Sequence, residues 1–349
     1  MPKFLAVAVL ICSACFAQTA QTYAERLGWN KTDRVLILHM DDAGMSYDSD
    51  AGIEQVLEKG AARSLSVMMP TPWVPHMVHY IKAHPGTDAG LHLTLNSEWR
   101  QYRWGPLAGA SAVPGLVDPE GALWDSVAGV VAHASAAEVD REIRAQLDRA
   151  VRMGFHPTHL DSHMGAVFAT PGFLEKYIQL GIEKQIPVML PGGHDTYIRQ
   201  DRREALIAQL KQEGKYRPGM TLPPDTALDR ARAIGEKLWQ AGLPVLDDLH
   251  NTSYDWKIPS ADLHDDAALR RWRTRRYIET LRELKPGLTM VIMHCTAPTP
   301  VFAEITDSGP LRKADLLAML DPEFQAFLKN EGFIVTTWRE ALERRKHAR

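Results

Sequence analysis

The chain has 349 residues, of which 45% are apolar and 24% are charged, as in an ordinary globular protein. This length accommodates one large α/β domain or two medium ones. A formal net charge of −3 and an isoelectric point near 6.5 give no support for a nucleic-acid-binding protein.

The first twenty residues have the pattern of a secretory signal peptide. Lys3 precedes the apolar run FLAVAVLICSACFA, and small residues follow it. The run is too short to span a bilayer comfortably, although a buried first strand or an anchoring helix is an alternative. We therefore expect residues 1–20 to contain a signal peptide that is cleaved after Ala17 or Ala20. We also expect the protein to be exported to the periplasm or secreted. No other stretch of the sequence is apolar enough to span a membrane.

Strand-like and helix-like segments alternate along the rest of the chain. The predicted strands cover residues 34–40, 64–69, 88–95, 157–161, 187–190, 244–249, 288–295 and 333–338. The predicted helices cover residues 50–61, 74–83, 135–154, 172–184, 203–212, 227–241, 265–284, 314–330 and 339–345. This alternation predicts parallel pairing, and about eight strands favour a distorted (β/α) barrel of the TIM type in a single domain over residues 30–347. An open, doubly wound sheet is the alternative.

Helix 135–154 has the clearest pattern. Ser135 and Glu138 match a capping box, and Gly154 ends the helix. Two long segments, residues 96–123 and 191–201, are predicted to be loops around the barrel.

Carboxylates and imidazoles stand at the ends of several predicted strands. The first strand ends in Asp41 and Asp42, and the later strands carry His92, His159, Asp161, His163, Asp248, His250 and His294. Active sites of (β/α) barrels lie at the carboxyl ends of the strands. A single strand-end histidine is more often structural, and the acid pair alone could be a turn or a helix cap. The prediction of a site therefore depends on their convergence on one face.

This set of residues favours a metal site. One carboxylate with two imidazoles is a common ligand set for a catalytic divalent ion that keeps an open coordination position. Two adjacent carboxylates resist simultaneous ionisation unless a positive charge lies beside them. A bound ion would supply that charge, so that one acid of the pair binds the ion and its neighbour acts as a base.

Four motifs carry a family resemblance: HMDDAG, GLHLTL, PTHLDSH and VIMHC. Together, over residues 35–338, the chain resembles the YdjC-like carbohydrate deacetylases. The resemblance implies a distorted (β/α) barrel that removes acetyl groups from N-acetylated sugars such as chitooligosaccharides. By position it implies Asp41 as the catalytic base, Asp42, His92 and His163 as metal ligands, and His294 as the general acid.

The sequence also departs from the family pattern. Typical members follow DSH with further histidines, where this chain has Met164 and Gly165. The best-known branch is cytoplasmic, whereas this chain begins with a predicted signal peptide. The chemistry is therefore predicted more closely than the substrate, beyond its being an acetylated carbohydrate.

The softness of an Asp-His-His set favours Zn²⁺, and Mg²⁺, with which the family is also described, is the alternative. Asp161, two residues before His163, is predicted to orient a metal ligand, and His159 is assigned with it.

Five residues are candidate substrate contacts. Trp99, Tyr102 and Trp104 follow His92 in a loop and could stack on sugar rings, or pack at the mouth of the barrel. Asp248 and His250 end a strand and could contact substrate, with a structural hydrogen-bonding role as the alternative.

Two other functions are compatible with this fold. A metal-independent glycoside hydrolase would use Asp41, Asp42 and Asp161, but adjacent acids on one strand should point apart rather than face each other across a bond. A periplasmic sugar-binding protein could keep the fold without catalysis. The sequence does not indicate an oligomeric state.

The most basic run, RRWRTRR at residues 270–276, lies in a predicted helix. Leu269, Trp272, Leu281 and Leu284 are predicted to form its buried stripe. We therefore expect the arginines to lie on a solvated face, with a site for an acidic polymer as the alternative.

Overall fold

The computed structural model describes residues 21–260 and 263–348, so the predicted signal peptide lies outside the described residues. Within them, seven strands form one parallel sheet. The strands are β1 (Arg34–Ala43), β2 (Ser64–Val67), β3 (Asp88–Leu93), β4 (Leu160–Ser162), β5 (Asp248–His250), β6 (Gly287–Met293) and β7 (Ile334–Val335).

Helices surround this sheet. They are α1 (Tyr23–Arg26), α2 (Tyr47–Lys59), α3 (Val74–Ala83), α4 (Val127–His133), α5 (Ala136–Arg152), α6 (Pro171–Lys184), α7 (Thr196–Gln212), α8 (Thr226–Gln240), α9 (Asp266–Arg282), α10 (Gly309–Met319), α11 (Pro322–Asn330) and α12 (Trp338–His347). Among the described residues, no helix is both long and apolar enough to traverse a bilayer.

The sheet curls into a ring. Its strand order is β4-β3-β2-β1-β6-β5, and β7 pairs with the first part of β1. Segment 188–191 joins the two edge strands, because Leu160 of β4 bridges to Val188 and Pro191 bridges to Leu246, just before β5. The predicted distorted (β/α) barrel is confirmed, and the segment predicted as a strand at residues 187–190 contributes only isolated bridges.

Strand β1 lies at the centre of the sheet. Nine of its ten residues are buried, because β6 pairs along one edge while β7 and β2 share the other. Parallel strands covered by helices on the outer face and filled by side chains within are apolar almost throughout. This burial explains the run VLILHM and makes the two acids that follow it exceptional.

Two helix predictions are corrected, at the break between α10 and α11 and at the start of α7. The predicted helix at residues 314–330 is two helices, α10 and α11, because Pro322 lacks an N–H and disfavours a helical conformation at Asp321. The Asp321 side chain instead caps α11 by accepting from the Glu323 amide. Helix α5 has the predicted capping box at Ser135.

Helix α7 begins within the predicted loop 191–201. Its first turn is capped from a distant strand, because the amide of Tyr197 donates to the Asp248 carboxylate at 2.9 Å. This contact joins residues 51 positions apart, so the local sequence gives no sign of it.

The basic stretch of α9 is only partly solvated. Arg273 is fully buried, whereas the side chains of Arg270 and Arg276 are 47% and 46% exposed. The Arg273 guanidinium binds Asp315 of α10 at 2.6 Å and lies over the ring of Trp256. The expectation that all these arginines face solvent is therefore wrong for Arg273.

Candidate metal centre and active site

A cavity of about 1320 Å³ opens at the carboxyl ends of the strands. The five residues predicted to carry the chemistry all line it: Asp41, Asp42, His92, His163 and His294. They come from β1 and β3 and from the segments directly after β4 and β6, and parallel strands present these ends at the same face of the barrel.

The acid pair stands on an irregular piece of backbone. Asp42 has φ of +65°, and the pairing of β1 with β2 shifts register between Met40 and Ala43. Successive strand residues normally point to opposite faces, but a bulge with a left-handed residue redirects one side chain. Asp41 and Asp42 therefore both face the cavity, and the expectation that adjacent acids point apart is wrong here.

Three ligand atoms converge beside this pair. Oδ1 of Asp42 lies 3.4 Å from Nε2 of His92 and 3.3 Å from Nδ1 of His163. Metal bonds of about 2.0–2.1 Å at tetrahedral angles would place ligand atoms roughly 3.3 Å apart. The Asp42 Oδ1 atom is buried without a hydrogen-bond partner, so the three residues fit a tetrahedral cation such as Zn²⁺.

The remaining nitrogen of each imidazole is held by a carboxylate. Nδ1 of His92 donates to Asp161 at 2.8 Å, and Nε2 of His163 donates to Glu98 at 3.0 Å. Each hydrogen bond fixes the ring and leaves the opposite nitrogen free to bind a metal. Asp161 thus orients His92 rather than its sequence neighbour His163.

Asp42 is fixed in the same way from the other side. Nη1 of Arg312, on α10, binds Oδ2 of Asp42 at 2.6 Å, and both side chains are buried. This pairing leaves Oδ1 as the oxygen that faces the two histidines. The burial of Asp42 raises its pKa, but Arg312 and the neighbouring histidines lower the pKa more strongly, so that it lies well below the usual range.

The two candidate histidine ligands have raised pKa values. Burial lowers the pKa of His163, but Glu98 and Asp42 outweigh burial and raise the pKa to about 9. The pKa of His92 is also well above its ordinary value, because Asp41 and Asp161 outweigh its burial. Metal binding requires neutral imidazole, so a cation binding here displaces protons.

His39 lies beneath the acid pair and is a site residue that was not predicted from the sequence. Its Nε2 lies 2.9 Å from Asp161 and 3.3 Å from Asp41. Its Nδ1 lies 2.9 Å from the Ser64 hydroxyl, which itself donates to Asp88, and its Nε2 also lies 3.1 Å from the Ser66 hydroxyl. Burial lowers the pKa of His39, but Asp161 and Asp41 raise it to about 9. The position of His39 between the two carboxylates therefore favours its protonated form.

His294 directly follows β6 and lies beside Asp42 in the cavity wall. Its side chain is 16% exposed, and its Nε2 lies 3.9 Å from Oδ2 of Asp42. Burial and the Arg312 guanidinium lower the pKa of His294. The backbone amide of His294 donates to Asp315, the buried partner of Arg273.

His159 occupies a deeper layer of the barrel. Its ring stacks on Trp338 and meets His39 edge-on. Burial and the charge of His39 lower the pKa of His159 to about 4. Its Nε2 is 4.0 Å from Asp161, so it packs beside the residue that orients His92.

Only one of the five candidate substrate contacts lines the cavity. Trp99 does so, with its ring 5.8 Å from the Arg312 guanidinium. The other four have structural partners: the Tyr102 hydroxyl donates to the Met45 carbonyl, the Trp104 indole donates to the Asn96 carbonyl, Asp248 caps α7, and His250 packs between Tyr197 and Trp256. The structure therefore supports packing for Tyr102 and Trp104 and a structural hydrogen-bonding role for Asp248, whereas Nδ1 of the buried His250 has no hydrogen-bond partner among the described residues.

Comparisons with known proteins show the family of this chain. A profile of the YdjC-like protein family matches residues 35–330. A carbohydrate deacetylase from Thermus thermophilus is 30% identical over 320 residues, covering 91% of this chain and 97% of that protein. The chain belongs to the YdjC-like family of carbohydrate deacetylases.

A second curated relative and one solved structure also match parts of this chain. A carbohydrate deacetylase from Brevibacillus brevis is 32% identical over 174 residues, which cover 50% of this chain and 66% of that protein. A crystal structure of an Enterococcus faecalis protein named for cellobiose-phosphate cleavage superposes with a TM-score of 0.64 at 15% identity, over 88% of this chain and 98% of that one. At 15% identity, this similarity shows a shared fold and nothing further.

Proposed function

We propose that the protein is a metal-dependent hydrolase that removes the acetyl group from an N-acetylated carbohydrate. The observation that carries the proposal is the convergence of three free ligand atoms, from Asp42, His92 and His163, at 3.3–3.4 Å in a cavity that Asp41 and His294 also line. The ion, when bound, supplies a Lewis acid for the acetyl carbonyl and lowers the pKa of water.

Asp41 is the base. Its Oδ2 lies 3.7 Å from Nε2 of His92, next to the three ligand atoms, and its Oδ1 is held toward His39. Asp41 removes a proton from the water that attacks the acetyl carbon.

His294 is the acid. Its Nε2 lies 3.9 Å from Oδ2 of Asp42 in the cavity wall, so a substrate amide bound at the ligand atoms also comes within reach of His294. Its lowered pKa makes the imidazolium a stronger acid toward the departing sugar amine. The C–N bond breaks as this proton is transferred, which yields acetate and a free amino sugar.

Acetate release tests the proposal directly. The purified protein is incubated with a panel of N-acetylated glycans, with and without chelator, and zinc or magnesium is then restored. We expect acetate and free amine in equal amounts, loss of turnover on chelation, and recovery with Zn²⁺. Full activity in metal-stripped protein would overturn the metal assignment, and new reducing ends without acetate would indicate a glycoside hydrolase.

A further inference from the structure

One wing of the cavity is aliphatic. From the catalytic end it extends across helices α6, α7 and α8. We define the aliphatic slot by six residues that line it: Leu174, Ile178 and Ile182 of α6, Leu190 at its base, and Ala231 and Ile234 of α8. The three α6 residues recur every four positions and therefore lie on one face of that helix.

The slot is open rather than filled. Leu174, Ile182 and Ile234 are only half-buried although they are large and apolar. Polar and charged residues stand at its rim, where Glu175, Gln179, Glu183, Arg202, Arg230 and Lys237 are exposed. A contiguous apolar surface bordered by polar residues marks a binding site more often than it marks idle surface.

The composition of the slot indicates what binds there. A sugar ring in this wing would place hydroxyl groups against aliphatic side chains, and a hydroxyl that loses water without a new hydrogen bond costs free energy. Sugar recognition would instead use an aromatic face with polar neighbours, which Trp99 and Glu98 provide at the catalytic end. An aliphatic chain fits the slot without this cost.

We propose that the substrate is an acetylated sugar that carries an aliphatic chain, alkyl or acyl, and that the chain lies in the aliphatic slot. This inference rests on the proposed function, because the slot and the catalytic end form one cavity. The sugar amide then lies between Asp41 and His294, with the chain directed away along α6.

Alkyl glycosides of N-acetylglucosamine test the inference. The methyl, butyl and octyl glycosides are titrated below their micelle concentrations into the zinc-loaded Asp41→Asn variant, and binding is followed by calorimetry. A fully buried methylene gives about fourfold in affinity, so a half-open slot should give roughly twofold each, or on the order of 10²-fold from methyl to octyl. Equal affinities for the three glycosides would overturn the proposal.

Substitutions in the aliphatic slot test where the alkyl chain of the glycoside binds. Ile182→Gln and Ile234→Gln, both half-buried positions, should reduce the ratio of octyl to methyl affinity to within about threefold of unity. Val151→Gln is the matched control, because Val151 on α5 is 44% exposed and lies outside the cavity lining. An unchanged ratio in both slot variants would place the chain elsewhere and refute the inference.

Acetate release by the parent enzyme separates this inference from the proposed function. If the methyl glycoside releases acetate and longer chains bring no gain in kcat/KM or affinity, the function stands and the slot proposal fails. If affinity rises with chain length but no glycoside releases acetate, the slot proposal stands and the deacetylase assignment fails.

Discussion

At the scale of single residues, two adjacent acids have different surroundings. Asp42 has one oxygen on Arg312 and the other free beside two histidines, whereas Asp41 is held by His39. These surroundings fit the proposed roles, metal binding for Asp42 and proton transfer for Asp41.

Substitution separates these roles. Asp41→Asn should bind Zn²⁺ nearly as well as the parent, while turnover falls by a factor on the order of 10² to 10⁴, the usual contribution of a positioned base. Asp42→Asn should lose metal affinity and, because buried Arg312 loses its charged partner, stability on the order of 3 kcal/mol. Calorimetric zinc titration, acetate-release kinetics and urea unfolding measure the three effects. Loss of metal from Asp41→Asn alone would reverse the two roles.

His39 gives the protein a pH-dependent stability. Its folded-state pKa of about 9 lies above the ordinary value of 6.5, so its stabilisation is complete below pH 6.5 and is lost as the pH rises through 9. The difference corresponds to roughly 3 kcal/mol. Urea unfolding of the metal-free protein between pH 6 and 10 should therefore show a decline that His39→Gln makes shallower by about one proton. Exposed His156 supplies the control variant, His156→Gln, and an identical slope in His39→Gln would contradict the assignment.

Two of the three site residues that were not predicted from the sequence reach the site through contacts between distant parts of the chain. Arg312 reaches Asp42 across 270 positions, and nothing in its own helix marks it as different from other arginines. Glu98 stands in a loop whose path depends on the whole barrel. His39 could have been found, because it lies two residues before Asp41 and alternate strand residues share a face.

At the scale of elements, α9 and α10 meet through a buried ion pair. Arg273 binds Asp315, and Asp315 also accepts from the Tyr277 hydroxyl and the His294 amide. This contact connects the packing of two outer helices to the position of the proposed general acid.

Breaking this pair should be costly. Arg273→Leu should lower the free energy of unfolding by about 3–5 kcal/mol, because a buried carboxylate loses its cation. Arg275→Ala on the same helix should change it by less than about 0.5 kcal/mol, since that side chain is exposed. Urea denaturation measures both. A loss below about 1 kcal/mol for Arg273→Leu would show that Asp315 is satisfied without the ion pair.

Element prediction succeeded where a pattern is local. The period of α5 and its capping box, and the apolar run of β1, are fixed by neighbours in the sequence. The start of α7 depends on Asp248, which lies 51 positions away from Tyr197. The break between α10 and α11 has a local signal in Pro322, but the apolar pattern that continues across it predicts a single helix. Long-range caps are not visible in a single segment.

At the scale of the whole molecule, the barrel assembles the site from residues that lie far apart in the chain. The strand-end pattern predicted this assembly because parallel strands end at one face. The extent of the cavity over α6, α7 and α8 could not be predicted, since it depends on how far these helices stand apart.

Export remains a prediction for the whole chain. We expect the protein isolated from its source to begin near Gln18 or Gln21 and to fractionate outside the cytoplasm. Intact-mass spectrometry on fractionated cells measures both properties. Recovery of the chain with Met1 in the cytosol would be incompatible with cleavage.

The extent of backbone pairing varies around the ring of strands. Strands β1 and β6 pair over seven positions, whereas the junction between β4 and β5 depends on bridges through segment 188–191, where Pro191 has no amide to donate. Native-state hydrogen exchange should therefore be fastest at this junction and slowest in β1. Because Met189, Leu190 and Pro191 line the cavity, local opening there would widen the passage along which a bulky molecule enters or leaves.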